Sequence, residues 1–345
     1  MGKVRVLIAD DSPTALDIID TILCSDPDIE VVGKARNGRE VIQMAETLRP
    51  DVITLDINMP VMNGLDAIRH IMAYRPTPIL VITSSTDANI AFQSLSVGAL
   101  EVLEKPELEE SYTSKKYEEF TRKIKLIARV KVVTHISGRT PRKKTPGRKP
   151  VLQKIIGIVC STGGPRALAT IFGRLPKNLS APILVVQHIS EGFTFGLVEW
   201  LQDVSPLKVK IAEADEPVEK GAVYVADSGK HLAITREFTI DLSDTEPSNG
   251  QKPSGNILFE SMARCAGANS IGVILTGMGR DGADGLKEIR NAGGKTIAQN
   301  EATSLIFGMP KAAIDLDAAE WVLPLDRIAD EIVRHAGVDE IFFNE

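Results

Sequence analysis

The apolar run Ile155-Ile156-Gly157-Ile158-Val159-Cys160 stops abruptly at Ser161-Thr162-Gly163-Gly164-Pro165 and gives way to a helical pattern from Arg166 to Leu175. That sequence predicts a buried parallel strand, a tight turn and a helix opening on proline. A chain containing it is committed to an α/β fold. Ser161 then stands at the carboxyl end of a strand, where open α/β sheets keep their sites, beside helix N-terminal N–H groups that can hold negative charge. Two later runs repeat the pattern: Ala181 to Gln187 ends in His188, and Ser270 to Leu275 ends in the glycine-rich turn Thr276-Gly277-Met278-Gly279-Arg280-Asp281-Gly282. Strands of one parallel sheet point their carboxyl ends to one edge, so Ser161, His188 and Asp281 are expected to converge there. A nucleophile, a base and an orienting carboxylate are the parts of a serine hydrolase triad.

Taken singly, each residue has a plainer reading. Ser-Thr-Gly-Gly-Pro also suits a phosphate-cradling turn, although it lacks both G-x-G-x-x-G and the P-loop lysine. A histidine after a strand is commonly structural, and Asp281 fits a turn or a helix cap. Asp281-Gly282-Ala283-Asp284-Gly285 lacks the alternating carboxylates of a calcium loop. It is the agreement of three residues on one sheet edge that favours the triad.

The remaining sequence limits the alternatives. At 345 residues the chain exceeds the length prior of roughly 150 per domain and suggests two domains. A net charge of -6 gives no electrostatic case for nucleic acid binding. No apolar run approaches the ~20 residues that span a bilayer, and the start of the chain goes straight into a strand, so no membrane insertion and a cytoplasmic location are expected. Cys24, Cys160 and Cys265 show neither paired spacing nor histidine partners, which argues against disulfides and structural zinc. Cys160 adjoins Ser161, but neighbours on a strand face opposite ways, and the turn position favours the serine.

In the first half, Val4 to Ala9 predicts a strand delivering Asp10-Asp11, and Asp51 to Leu55 predicts one delivering Asp56, with Asn58 two residues on. Ile79 to Ile82 ends in Thr83, and Glu101 to Glu104 ends in Lys105. With a strand at Glu30 to Val32, these make five βα units and a doubly wound parallel sheet with its polar side chains on one edge. Adjacent carboxylates at a strand end need a cation or base to relieve their repulsion. The set suits magnesium and an acyl phosphate. Asp10, Asp11, Asp56 and the Asn58 carbonyl would hold the ion, Asp56 would attack phosphorus, Thr83 would bond a phosphoryl oxygen and Lys105 would add positive charge.

Gly157 to Pro165, Gln187-His188 and Leu275 to Gly282 resemble the three signature stretches of the chemotaxis protein-glutamate methylesterases. The first half resembles the response regulator receiver, the usual partner of that catalytic domain. The resemblance implies a flavodoxin-like receiver with a five-stranded parallel sheet. To this it adds a doubly wound, mostly parallel α/β hydrolase domain. It implies hydrolysis of glutamate γ-methyl esters on methyl-accepting chemotaxis receptors, with release of methanol, and deamidation of glutamine as a second activity. Backbone N–H groups around Thr162 and Met278 become the expected oxyanion donors. Asp56 becomes the residue phosphorylated by a histidine kinase, and Lys105-Pro106 a cis bond. Two positions depart from the family. Val102 stands where many receivers carry an aromatic, and Pro253-Ser254-Gly255-Asn256 replaces Pro-Ser-Val-Asp, which bears on substrate preference.

The domain reading is therefore a receiver over 1–133, a linker over 134–153 and a catalytic domain over 154–345. Tyr117, Phe120, Ile124 and Ile127, at helical spacing, mark the receiver's last helix within Glu109 to Val133, and the Pro/Gly/basic stretch from Gly138 to Pro150 reads as a solvated hinge. In the catalytic half, Val223 to Ala226 and His231 to Ile234 read as an antiparallel hairpin continued by Phe238 to Leu242. His231 lies inside that hairpin and ranks behind His188 as a base. His70, His135 and His335 lack supporting context. A receiver with a binding-only output domain, its Ser-Thr-Gly-Gly turn holding an anion, is the alternative from another functional class. A DNA-binding regulator is disfavoured by charge and by the α/β character of the second half.

Overall fold

Buried on both faces, β1 (Val4–Ala9) lies between β2 (Ile29–Ala35) and β3 (Val52–Leu55) in a sheet of order β2-β1-β3-β4-β5, completed by β4 (Ile79–Thr83) and β5 (Glu101–Glu104). Every pairing is parallel, and β1 returns through α1 (Pro13–Cys24) to β2 before crossing to β3. The order reverses at β1, and such a switch leaves a crevice outside the carboxyl ends of β1 and β3. Helix starts follow the strand ends closely. Ser12 caps α1 by accepting from the Ala15 N–H, and Asn37 and Asn63 cap α2 (Gly38–Leu48) and α3 (Gly64–Tyr74) in the same way. Helices α4 (Ala88–Ser96) and α5 (Ser114–Ile127) complete the unit; the last helix ends at Ile127, ahead of the Val133 expected, and residues 109–113 of the expected span lie outside the described residues.

This computed structural model describes residues 2–84, 88–106, 114–130, 132 and 154–339, and the chain divides into two units at Thr140/Pro141. The basic Pro/Gly stretch and the whole of the expected 134–153 linker lie outside the described residues. Among those described, the cis peptide bond is Lys252–Pro253, so the structure corrects the expectation of a cis Lys105–Pro106 bond.

The second unit is built on β6 (Ile155–Cys160), α6 (Gly164–Phe172), β7 (Ile183–Gln187), α7 (Thr194–Val204), β8 (Lys208–Ile211) and β9 (Ala222–Val225). After β10 (His231–Ile234), β11 (Ile240–Ser243) and α8 (Gly255–Ala266), the chain re-enters the sheet at β12 (Ser270–Ile274). It ends through α9 (Ala283–Asn291), β13 (Lys295–Gln299), α10 (Met309–Asp315), β14 (Trp321–Leu323) and α11 (Leu325–Ala336). The seven strands run β14-β13-β12-β6-β7-β9-β8, all pairings parallel. The chain moves one way from β6 and returns on its other side with β12, so the switch point lies between those two strands.

The hairpin differs from expectation. Residues 222–225 are wholly buried and pair in parallel with β7 and β8, whereas β10 pairs antiparallel with β11. Burial on both faces suits a strand interior to a parallel sheet, and Asp227 to Lys230 leads out of that sheet instead of turning back within it. Among the described residues, no helix is long and apolar enough to cross a membrane.

Candidate active site

In the second unit, the register aligns Cys160 on β6 with Gln187 on β7, and the His188 N–H donates to the Cys160 carbonyl at 3.0 Å. Ser161 and His188 are therefore the next residues of two adjacent strands as both leave the sheet. On the other flank, the Ser161 N–H donates to the Thr276 carbonyl at 3.1 Å, and a Cβ built on Gly277 would stand 2.7 Å from Ser161 Cβ. The turn after β12 thus lies directly against Ser161. Its continuation carries Asp281, whose Oδ2 is 2.8 Å from His188 Nε2.

Asp281 is buried, and a carboxylate there must be hydrogen-bonded throughout to remain charged. The Ser254 hydroxyl donates to Oδ1 at 2.8 Å, the Asn256 N–H donates to Oδ1 at 3.2 Å, and the Gly255 N–H donates to Oδ2 at 2.6 Å. These N–H groups belong to the first turn of α8, whose N-cap Ser254 gives its hydroxyl to Asp281 and not to its own helix. A carboxylate from another segment caps the helix in place of the local side chain. Burial alone would raise the Asp281 carboxyl, but the hydrogen bond and charge of His188, with the Gly255 and Ser254 donors, hold it below the ordinary carboxylate range.

With His188 Nε2 facing Asp281, Nδ1 is the ring nitrogen left to take a proton from a hydroxyl. Among the described residues the Ser161 hydroxyl makes no hydrogen bond to the imidazole, a frequent state of such pairs before substrate binds. The Thr162 and Met278 backbone N–H groups, expected as oxyanion donors, bond to nothing among the described residues. Their turns are tied together, since the Thr276 hydroxyl donates to the Thr162 carbonyl at 2.9 Å. Gly163 takes a φ of +78° as the cap of α6, a left-handed conformation that glycine adopts without strain.

Cys160 is fully buried, its Sγ 3.0 Å from Gln187 Oε1. His231 is buried too, with Nδ1 accepting from the Ser254 N–H at 3.1 Å and Nε2 3.1 Å from the Glu246 carbonyl. Both nitrogens of His231 are engaged in supporting the segment that holds Asp281. The departure at Gly255-Asn256 therefore falls on two residues whose N–H groups hold the Asp281 carboxylate. A Cβ on Gly255 would overlap Val159, so glycine here matches the valine opposite. Sequence reasoning missed Ser254, Gly255 and Asn256 as Asp281 donors, although Pro-Ser before a helix signals a cap needing an acceptor.

In the first unit, Asp10, Asp11 and Asp56 each offer a carboxylate oxygen within 4.8 Å of the others, and Lys105 Nζ lies 2.7 Å from Asp10 and 3.2 Å from Asp56. Burial first, and then the neighbouring Asp10 charge, push the Asp56 carboxyl upward against the opposing pull of Lys105. The Thr83 hydroxyl is buried and has no hydrogen-bond partner among the described residues. Asn58 is exposed in the loop leaving Asp56. Three clustered carboxylates, two of them paired with the Lys105 ammonium, offer hard oxygen donors that fit a divalent cation such as magnesium, and the orphaned hydroxyl fits an incoming anionic oxygen.

Residues 156–332 match the family described as CheB methylesterase, and residues 6–115 match the response regulator receiver domain. The chain belongs to the CheB methylesterase family. A relative from Anaeromyxobacter dehalogenans, named protein-glutamate methylesterase/protein-glutamine glutaminase 2, is 44% identical over 326 residues, 94% of this chain and 95% of its own. A similarly named relative from Syntrophus aciditrophicus is 41% identical over 346 residues, covering 97% of this chain and 99% of its own. Among solved structures, the Thermotoga maritima CheB methylesterase catalytic domain is similar at 39% identity and a TM-score of 0.52, covering 53% of this chain and 99% of that domain. CheB relatives thus share both halves of this chain.

Proposed function

We propose that this chain hydrolyses glutamate γ-methyl esters on methyl-accepting chemoreceptors, with Ser161 as nucleophile, His188 as general base and Asp281 as its orienting partner. The 2.8 Å contact between His188 and Asp281, beside Ser161 at the sheet switch point, carries the reading. Ser161 Oγ attacks the ester carbonyl while His188 Nδ1 takes its proton, and Asp281 stabilises the imidazolium. The Thr162 and Met278 amides receive the oxyanion, His188 returns the proton to the departing methoxide as methanol leaves, and water then hydrolyses the acyl-enzyme. The same attack on a glutamine amide gives deamidation.

The first domain, ending near residue 133 before a basic linker, acts as the switch. Asp56 takes a phosphoryl group from a histidine kinase, Thr83 bonds one of its oxygens and Lys105 balances charge. Asp10, Asp11, Asp56 and the Asn58 carbonyl would hold magnesium. A divalent ion there supplies charge neutralisation for the phosphoryl oxygens. The protein acts in the cytoplasm, where kinase and receptor tails are accessible.

Methanol release from a methylated receptor, measured for the wild type and Ser161→Ala, tests the assignment. The substitution should cost on the order of 10³-fold or more in rate, and a serine-directed fluorophosphonate should label only the wild type. Equal release by both proteins, or no labelling of either, would remove the hydrolase reading and favour a binding-only output domain.

A further inference from the structure

From the geometry at the ends of β6 and β7 we infer that Gln187 is a positioning residue for catalysis, its amide setting the spacing between nucleophile and base. The inference rests on the roles proposed above for Ser161 and His188. Gln187 is 2% exposed, and its Nε2 donates both hydrogens, to the Ser161 carbonyl at 2.9 Å and to the His188 carbonyl at 2.8 Å. Its Oε1 is engaged by Cys160 Sγ at 3.0 Å. The amide cannot turn over, because Oε1 would then face two carbonyl oxygens.

The strand ladder explains why such a group is needed here. The register between β6 and β7 ends at Cys160 opposite Gln187, and the last rung is the His188 N–H to the Cys160 carbonyl. Beyond that rung the two backbones must separate so that a hydroxyl and an imidazole can face one reacting carbonyl. One NH₂ group bridges the gap, fastening the peptide that follows Ser161 to the peptide that follows His188. A Cβ on Gly164 would overlap Gln187 Oε1 and stand 3.0 Å from Cys160 Sγ. The second glycine of Ser-Thr-Gly-Gly is the seat of this amide. Gly164 has no left-handed φ, so closeness, not backbone conformation, excludes a side chain there.

A misplacement of about 1 Å between catalytic groups costs on the order of 10²-fold in rate. Gln187→Met keeps most of the volume and removes both donors, while Gly164→Ala keeps the glutamine but displaces its amide. In the full-length protein each should lower kcat for methanol release about 10²-fold, leave KM within about threefold, and slow fluorophosphonate labelling of Ser161 in parallel. The double variant should lose little more than either single one, because both remove the same bridge. A wild-type kcat in Gly164→Ala, or additive losses in the double variant, would overturn the inference, and the first criterion stands even if Gln187→Met does not fold. An active Ser161→Ala would instead bring down the nucleophile assignment itself. Loss in Ser161→Ala with full activity in folded Gln187→Met would refute only the positioning role.

Discussion

Replacing Asp281 by asparagine probes the structure more sharply than deleting it. Its two oxygens are flanked by backbone donors that cannot rotate, Gly255 N–H on Oδ2 at 2.6 Å and Asn256 N–H on Oδ1 at 3.2 Å. Whichever way the asparagine amide is turned, its NH₂ meets one of these N–H groups. A buried donor left unsatisfied costs about 1–3 kcal/mol, and the surviving bonds lose the strengthening that charge supplies, so we expect a loss near ~3 kcal/mol. For a domain of this size that corresponds to a fall of roughly 6–12 °C in the melting temperature of the catalytic unit. The pH dependence has a definite sign. Because the Asp281 carboxyl is held below its ordinary range, its stabilisation is present above about pH 3.9 and disappears as pH falls through the lowered value. The gap between the two proteins should be full at neutral pH and close in acid. Loss of the imidazolium's partner should lower kcat by about 10⁴-fold. Calorimetry across pH, paired with methanol release, makes the comparison. An Asp281→Asn protein that melts with the wild type and retains a tenth or more of its rate would refute this account of the carboxylate.

Two other substitutions test separate parts of the molecule. Burial and the Asp10 charge raise the Asp56 carboxyl, so the ionised form costs stability that is regained as pH falls below the raised value. In metal-free protein, Asp56→Asn should therefore raise the receiver's melting temperature by ~2–4 °C at neutral pH, with the difference shrinking toward about pH 4. It should also abolish any acceleration of methanol release by acetyl phosphate and magnesium. An unchanged melting curve, or acceleration surviving the substitution, would count against the assigned role of Asp56. Gly255→Val should destabilise the catalytic domain by about 1–3 kcal/mol, since its Cβ would overlap Val159, and adding Val159→Ala should recover most of that in urea unfolding. Failure of the second change to rescue the first would show that the crowding lies elsewhere.

Much of this architecture is legible in the sequence because its strands are buried on both faces and stand out as apolar runs. Val4–Ala9, Ile155–Cys160 and Ser270–Ile274 lead directly to the residues at their carboxyl ends, and the shared direction of parallel strands places those residues on one edge. That is why the meeting of His188 and Asp281, far apart in the chain, could be anticipated. The hairpin was misassigned because Val223-Tyr224-Val225 has strand propensity without saying which neighbour it takes. The strand Lys208–Ile211 escaped notice, since its short lysine-alternating run at the sheet edge carries little apolar signal. The donors to Asp281 were invisible for another reason. Ser254 reads locally as the cap of its own helix, and only tertiary contact reveals that its hydroxyl serves a carboxylate 27 residues away.

That borrowed cap links the order of assembly to the appearance of activity. Helix α8 can form its body from its own residues, but the amides at its beginning stay unmet until the return loop after β12 docks upon them. Hydrogen exchange at Gly255 and Asn256 should therefore slow late in refolding, in step with the recovery of turnover. Early protection at those two amides, ahead of any turnover, would show that something other than Asp281 closes the end of the helix.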